Sequence, residues 1–159
     1  EWQAVERAPE LEDYILVYTT EPNQAMADYV RLLSAETGLP VAELHAGAVW
    51  AGGAGVDTAA GPAEFLGYIN HARYVVSNSF HAAAFSILFE KQFLIFAHRR
   101  VNERLASLLT LCGLEDRLCQ TVGRDITVPI NWPSVRVRTA AAVEKSADYL
   151  LKSVEVRPE

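Results

Sequence analysis

The sequence predicts an α/β domain in which a parallel sheet carries helices on both faces. Three observations point there. Short, largely apolar runs rich in β-formers recur at 14–18, 40–44, 74–77 and 93–96, which suits strands buried on both sides. Longer segments with apolar residues at three- and four-residue spacing separate them. Glycines and prolines stand at the joints. A parallel pair needs a long crossover, usually a helix, so strict strand–helix alternation reads as a parallel sheet.

Residues 1–13 are polar and include Pro9, as in a lead-in or linker. After the strand at 14–18, residues 19–23 form a turn. Met26, Tyr29, Val30 and Leu33 then lie at helical spacing over 24–37, and Gly38 stops the helix. The second strand, 40–44, runs into a segment with Gly47, Gly52, Gly53, Gly55 and Gly61. Glycine-rich loops can wrap phosphates, but these glycines match neither a Walker A nor a dinucleotide fingerprint, and a linker between sheet and helix fits them as well. Pro62 and Glu64 open the next helix, where a missing N–H costs nothing and a negative charge complements the helix dipole. Phe65, Leu66, Ile69 and Ala72 give it a buried face. A strand at 74–77, a helix over 79–90 and a strand at 93–96 follow. Leu105, Leu108 and Leu109 mark a helix over 101–112, ended by Gly113. Residues 114–118 read as a single turn and 119–132 as irregular. Pro133 introduces a last helix over 134–154, with Val135, Ala142, Ala147, Leu150 and Leu151 as its apolar stripe.

The 159 residues suit one domain spanning 1–159. Half are hydrophobic, and the net charge of −6 argues against a nucleic-acid partner, which a basic patch would mark. Cys112 and Cys119 have neither metal-ligand spacing nor a disulfide framework, so no metal is expected and a reducing, cytoplasmic compartment fits. No apolar run approaches the roughly 20 residues of a membrane helix. The chain begins Glu1-Trp2-Gln3, without initiator methionine or signal peptide, as expected for a piece of a longer protein.

The candidate chemistry gathers where the third strand feeds its helix: Ser77, Asn78, Ser79, Phe80 and His81. Open α/β sheets bind ligands outside the carboxyl ends of their strands. Backbone N–H groups in a first helical turn lack helical acceptors and attract anions, and histidine suits acid–base work near neutrality. The alternative is that Ser79 or Asn78 merely caps the helix while His81 bonds a neighbouring loop. A second group, His98, Arg99, Arg100 and Arg104, follows the next strand, and parallel strands bring it to the same edge. Guanidinium groups bind carboxylate and phosphate through paired hydrogen bonds; the alternative is a solvated basic helix start, although cations there oppose the helix dipole, a local conflict that favours a functional reason. Glu64 could accept a sugar or ribose hydroxyl or serve only its helix dipole. His45 faces the same edge without companions, His71 falls late in a helix where a histidine needs no special role, and Trp50 and Trp132, in loops, could stack on a sugar or base, although packing is the commoner use of tryptophan.

The run Gly61-Pro62-Ala63-Glu64-Phe65-Leu66, then Asn70-His71-Ala72-Arg73-Tyr74-Val75-Val76-Ser77-Asn78-Ser79-Phe80-His81, resembles the polysaccharide pyruvyl transferase family. So do Phe85-Ser86-Ile87-Leu88-Phe89-Glu90-Lys91-Gln92-Phe93, Arg100-Val101-Asn102-Glu103-Arg104-Leu105 and Gly113-Leu114-Glu115-Asp116-Arg117-Leu118. The resemblance implies a Rossmann-like domain, the C-terminal half of a two-domain GT-B-type fold whose N-terminal domain is missing. It implies transfer of a pyruvyl group from phosphoenolpyruvate to a sugar or glycan acceptor as a ketal, with phosphoenolpyruvate as donor substrate and no cofactor. The histidine of Ser-Phe-His, His81, is then the acid–base residue. The helix start at Asn78, Ser79 and Phe80, with Arg99, Arg100 and Arg104, is then the donor cradle. Ala82-Ala83 stand where the family often has Gly-Thr, and Ser79 where some members have arginine, so the later arginines are expected to supply the charge. Two rival readings remain: the nucleotide-sugar half of a GT-B glycosyltransferase, using Glu64 or the glycine-rich segment, and a non-catalytic interaction module. The isolated chain is expected to be inactive, and an apolar surface bared by the missing domain is expected to favour a homo-oligomer.

Overall fold

The computed structural model describes residues 5–45, 60–96, 102–120 and 124–155. Along them the elements run β1 (Ile15–Thr19), α1 (Gln24–Thr37), β2 (Val41–His45), α2 (Pro62–His71), β3 (Tyr74–Ser77), α3 (Phe80–Leu88), β4 (Gln92–Phe96), α4 (Asn102–Cys112), a 3-10 turn (Glu115–Arg117), β5 (Leu118–Cys119) and α5 (Trp132–Glu155). The five strands form one all-parallel sheet in the order β2-β1-β3-β4-β5. The expected α/β Rossmann-like arrangement is therefore present.

The sheet is buried on both faces, which is why its strands read as continuous apolar runs rather than alternating ones. Tyr14, Leu16, Ala42, Leu44, Val75, Phe93 and Ile95 point to one side and pack with α2, α3, α4 and the start of α5. Ile15, Val17, Val76, Leu94, Phe96 and Cys119 point to the other and meet Met26, Val30 and Leu33 of α1, together with Ile126. Among the described residues the two layers are unequal. On the second face α1 is joined by segment 124–126, held by the Tyr29 hydroxyl, which donates to the Arg124 carbonyl at 2.8 Å and accepts from the Ile126 N–H at 3.3 Å.

Helix ends follow their local chemistry. Asn23 caps α1 by accepting from the Met26 N–H at 3.0 Å, and Gly38 closes it at φ 71°, a left-handed conformation that glycine adopts without strain. Glu90 takes the same left-handed region after α3, at φ 55°, and its carboxylate is held by Arg136 of α5 at 2.8 Å.

Two expectations need revision. Residues 118–119 form a fifth strand, paired through Ile95↔Leu118 and Phe96↔Cys119, where a turn and irregular chain were expected; a two-residue strand is too short to leave a periodic pattern. The polar lead-in is docked, too. The Arg7 N–H bonds the Ala63 carbonyl at 2.9 Å, the Arg7 guanidinium pairs with Glu64 at 2.8 Å, and Glu6 receives Asn70 at 3.0 Å. Gly67 permits this contact, since a Cβ there would lie 1.8 Å from the Arg7 carbonyl oxygen. Among the described residues, no helix is long and apolar enough to cross a membrane.

Candidate functional site

From β1 the chain crosses first to β2 on one side and then, through α2, to β3 on the other. That reversal opens a crevice between the carboxyl ends of β1 and β3, the place where sheets of this kind bind ligands. The Ser77–Ser79 turn and the start of α3 form one bank and the turn after β1 forms the other.

The two banks are stitched by side chains. The Ser77 hydroxyl donates to the Tyr18 carbonyl at 2.6 Å and accepts from the Ser79 N–H at 3.0 Å. Asn78, 3% exposed, accepts through Oδ1 from the Thr20 N–H at 2.9 Å and the Thr20 hydroxyl at 3.2 Å, while its Nδ2 donates to the Glu21 carbonyl at 2.8 Å. Asn78 therefore holds the crevice wall with its side chain turned inward. Thr20, which the sequence did not single out, is its partner across 58 residues of chain; no local pattern announces such a pair.

Asn78 and Ser79 both looked like helix caps in the sequence. Ser79 is the N-cap residue of α3, yet its side chain makes no capping bond, and the Asn78 side chain is committed to the β1 turn. The first-turn N–H groups of Phe80, His81 and Ala82 are thus left without a side-chain cap, at the positive end of the helix dipole. His81 is exposed on this turn. Phe80 is half-buried against the core, and its ring meets the His81 ring edge-on, 6.0 Å between centroids.

Arg104 comes from the first turn of α4 and is exposed. Its guanidinium carbon lies 4.7 Å from the centroid of the Phe80 ring, so one ring touches both the exposed histidine and the exposed cation. The register Ser77↔Ile95 sets β3 and β4 side by side in parallel, which brings the carboxyl end of β4 to this edge. Arg99 and Arg100, with His98, lie outside the described residues, as do Trp50 and residues 46–59 of the glycine-rich segment.

Glu64 sits apart from this cluster in its contacts. Its Oε2 accepts from the Gly61 N–H at 3.0 Å, and its Oε1 takes the Arg7 guanidinium at 2.8 Å. Its own backbone N–H and then Arg7 hold the carboxyl below its ordinary range. At the opposite end of the sheet His71 pairs with Glu6 at 3.2 Å. Among the described residues no group of three or more histidine, cysteine or acidic side chains is placed to hold a metal ion.

What the mouth offers a ligand is therefore small and positive: uncapped helix N–H groups, a guanidinium on a ring, and a histidine between solvent and the sheet edge. This suits a compact anion carrying a group that must gain or lose a proton. A family model described as polysaccharide pyruvyl transferase matches residues 1–100. Neither the curated proteins nor the solved structures yield a match.

Proposed function

The chain belongs to the polysaccharide pyruvyl transferase family, and from that premise we propose that it forms the donor side of a transfer from phosphoenolpyruvate to a sugar. The observation that carries this reading is the exposed His81 on the uncapped first turn of α3, with Arg104 over the adjacent ring. Phosphoenolpyruvate presents a phosphate and a carboxylate. Helix N–H groups and guanidinium donors meet both, with Arg99 and Arg100 as further candidates.

The chemistry asks for one proton-transfer group. In forming a ketal, two sugar hydroxyl oxygens bond to C2 of the donor and the C2–O bond to phosphate breaks. The methylene carbon gains a proton and becomes a methyl group, and inorganic phosphate leaves. The two hydroxyl protons balance the methyl hydrogen and the proton carried off with phosphate. In this scheme His81 gives the proton to the methylene carbon or takes one from the attacking hydroxyl, while the fixed positive groups stabilise charge on the leaving phosphate.

The acceptor is a sugar or glycan, bound across the crevice by a second domain as in a GT-B arrangement. Cys112 and Cys119 are free and buried, which suits a reducing compartment, and the reading puts the reaction in the cytoplasm. The nucleotide-sugar alternative is less well supported, because Glu64 already serves Gly61 and Arg7. Calorimetry with phosphoenolpyruvate and with nucleotide sugars separates the two. Phosphoenolpyruvate is expected to bind, and His81→Ala to abolish ketal transfer in the complete enzyme while keeping most of the donor affinity. Binding of a nucleotide sugar alone would overturn the proposal.

A further inference from the structure

The turn Ser77–Asn78–Ser79 contains no charged side chain, and two of its three polar side chains are spent inward. The positive charge at this mouth comes instead from another element, α4, through Arg104. A cation in a first helical turn is unfavourably placed against the helix dipole. Among the described residues no carboxylate forms an ion pair with Arg104; its guanidinium carbon lies instead 4.7 Å from the centroid of the Phe80 ring. The manner of holding matters. A carboxylate would position the guanidinium but would cancel its charge and occupy its N–H donors. An aromatic face positions the same group through its quadrupole and leaves the charge and the in-plane donors available.

Building on the reading above, we propose that Phe80 is a positioning residue: its ring fixes the Arg104 guanidinium beside His81 so that it receives the anionic end of the donor. Phe80 is suited to the task because it is anchored on both sides. Its backbone is the first residue of α3, and its ring packs against the core beneath. The ligand-binding cation thereby inherits the rigidity of the helix start, although it hangs from a different helix by a flexible side chain. The ring's edge-on contact with His81 ties the proton-transfer group to the same anchor.

The test is a double-mutant cycle read by calorimetric titration of the full chain with phosphoenolpyruvate. Arg104→Gln is expected to weaken binding by about tenfold, as loss of a charge-assisted contact does. Phe80→Leu should weaken it by about two- to fivefold, the range of an exposed cation–ring contact, and should add nothing in the Arg104→Gln background. Phe80→Tyr, which keeps the ring, should retain the parent affinity. Additive losses, or a Phe80→Tyr variant as weak as Phe80→Leu, would overturn the proposal. A second readout is independent of ligand and of whether Phe80→Leu folds. The side-chain methylene protons of Arg104 should be shifted upfield by the ring in the parent protein and in Phe80→Tyr, and unshifted resonances would overturn the positioning role. If the parent chain binds no phosphoenolpyruvate, the donor assignment fails, while the Arg104 shifts still decide whether Phe80 places the cation.

Discussion

At the scale of single residues, the polar groups of the candidate site divide by the direction in which they spend their hydrogen bonds. Asn78 and Ser77 spend theirs on the opposite bank, and His81 and Arg104 face outward. Asn78→Ala removes a buried amide together with its hydrogen bonds to the Thr20 N–H and the Glu21 carbonyl. It should cost about 2–3 kcal/mol of stability, read by denaturant unfolding; a loss of donor binding with no loss of stability would contradict this assignment. Glu64 gives a pH prediction. Its folded-state pKa lies below the ordinary carboxyl value, so its clamp on Arg7 is fully present above that value and is lost as pH falls through the folded one. Amide protection of Arg7, whose N–H bonds Ala63, should fall across that acid window. Glu64→Gln should remove the pH step, and a step that survives the substitution would mean another carboxylate is responsible.

At the scale of elements, α2 and α5 show how far a sequence pattern carries. Gly67 lies inside α2, where alanine would normally be favoured by about 1 kcal/mol. The lead segment crosses so closely there that a methyl group would collide with the Arg7 carbonyl. Gly67→Ala is therefore expected to leave the helix intact and displace residues 5–13, seen as faster proteolysis of that segment alone. In α5 the apolar stripe runs on past the contact that buries it. Val135 is 4% exposed, whereas Leu150 and Leu151 are more than 60% exposed. Val135→Ala should cost roughly 1–3 kcal/mol, and Leu150→Gln with Leu151→Gln within about 0.5 kcal/mol of nothing; thermal melts of the two variants distinguish the ends of the helix. On the other face the Tyr29 hydroxyl, its pKa pushed up to about 12 by burial, remains protonated and keeps segment 124–126 against α1.

At the scale of the whole molecule, the strand order fixes both the hierarchy of stability and the position of the site. β1 and β3 are paired on both edges and buried on both faces, while β5 contributes two paired residues at the sheet margin. Native-state amide exchange should find β1 and β3 the slowest and β5 among the first to open; equal protection across the sheet would contradict that order. The parallel class, four of the strands, the helix stops at Gly38 and Gly113, and a polar cluster at the β3–α3 junction were all legible in the sequence, because each is written in residues a few positions apart. Periodicity and capping act over one or two turns, so a chain read locally reveals them. The fifth strand, the docking of residues 5–13 on α2, the inward commitment of Asn78 to Thr20 and the seating of Arg104 on Phe80 were not legible. Each joins residues 23 or more positions apart. Which distant groups meet depends on strand order and register, and those follow from packing the whole sheet between its layers. The sequence by itself determined that His81 and an arginine would stand at helix starts. The tertiary structure decided that these two helix starts meet, with one aromatic ring in contact with both the histidine and the cation.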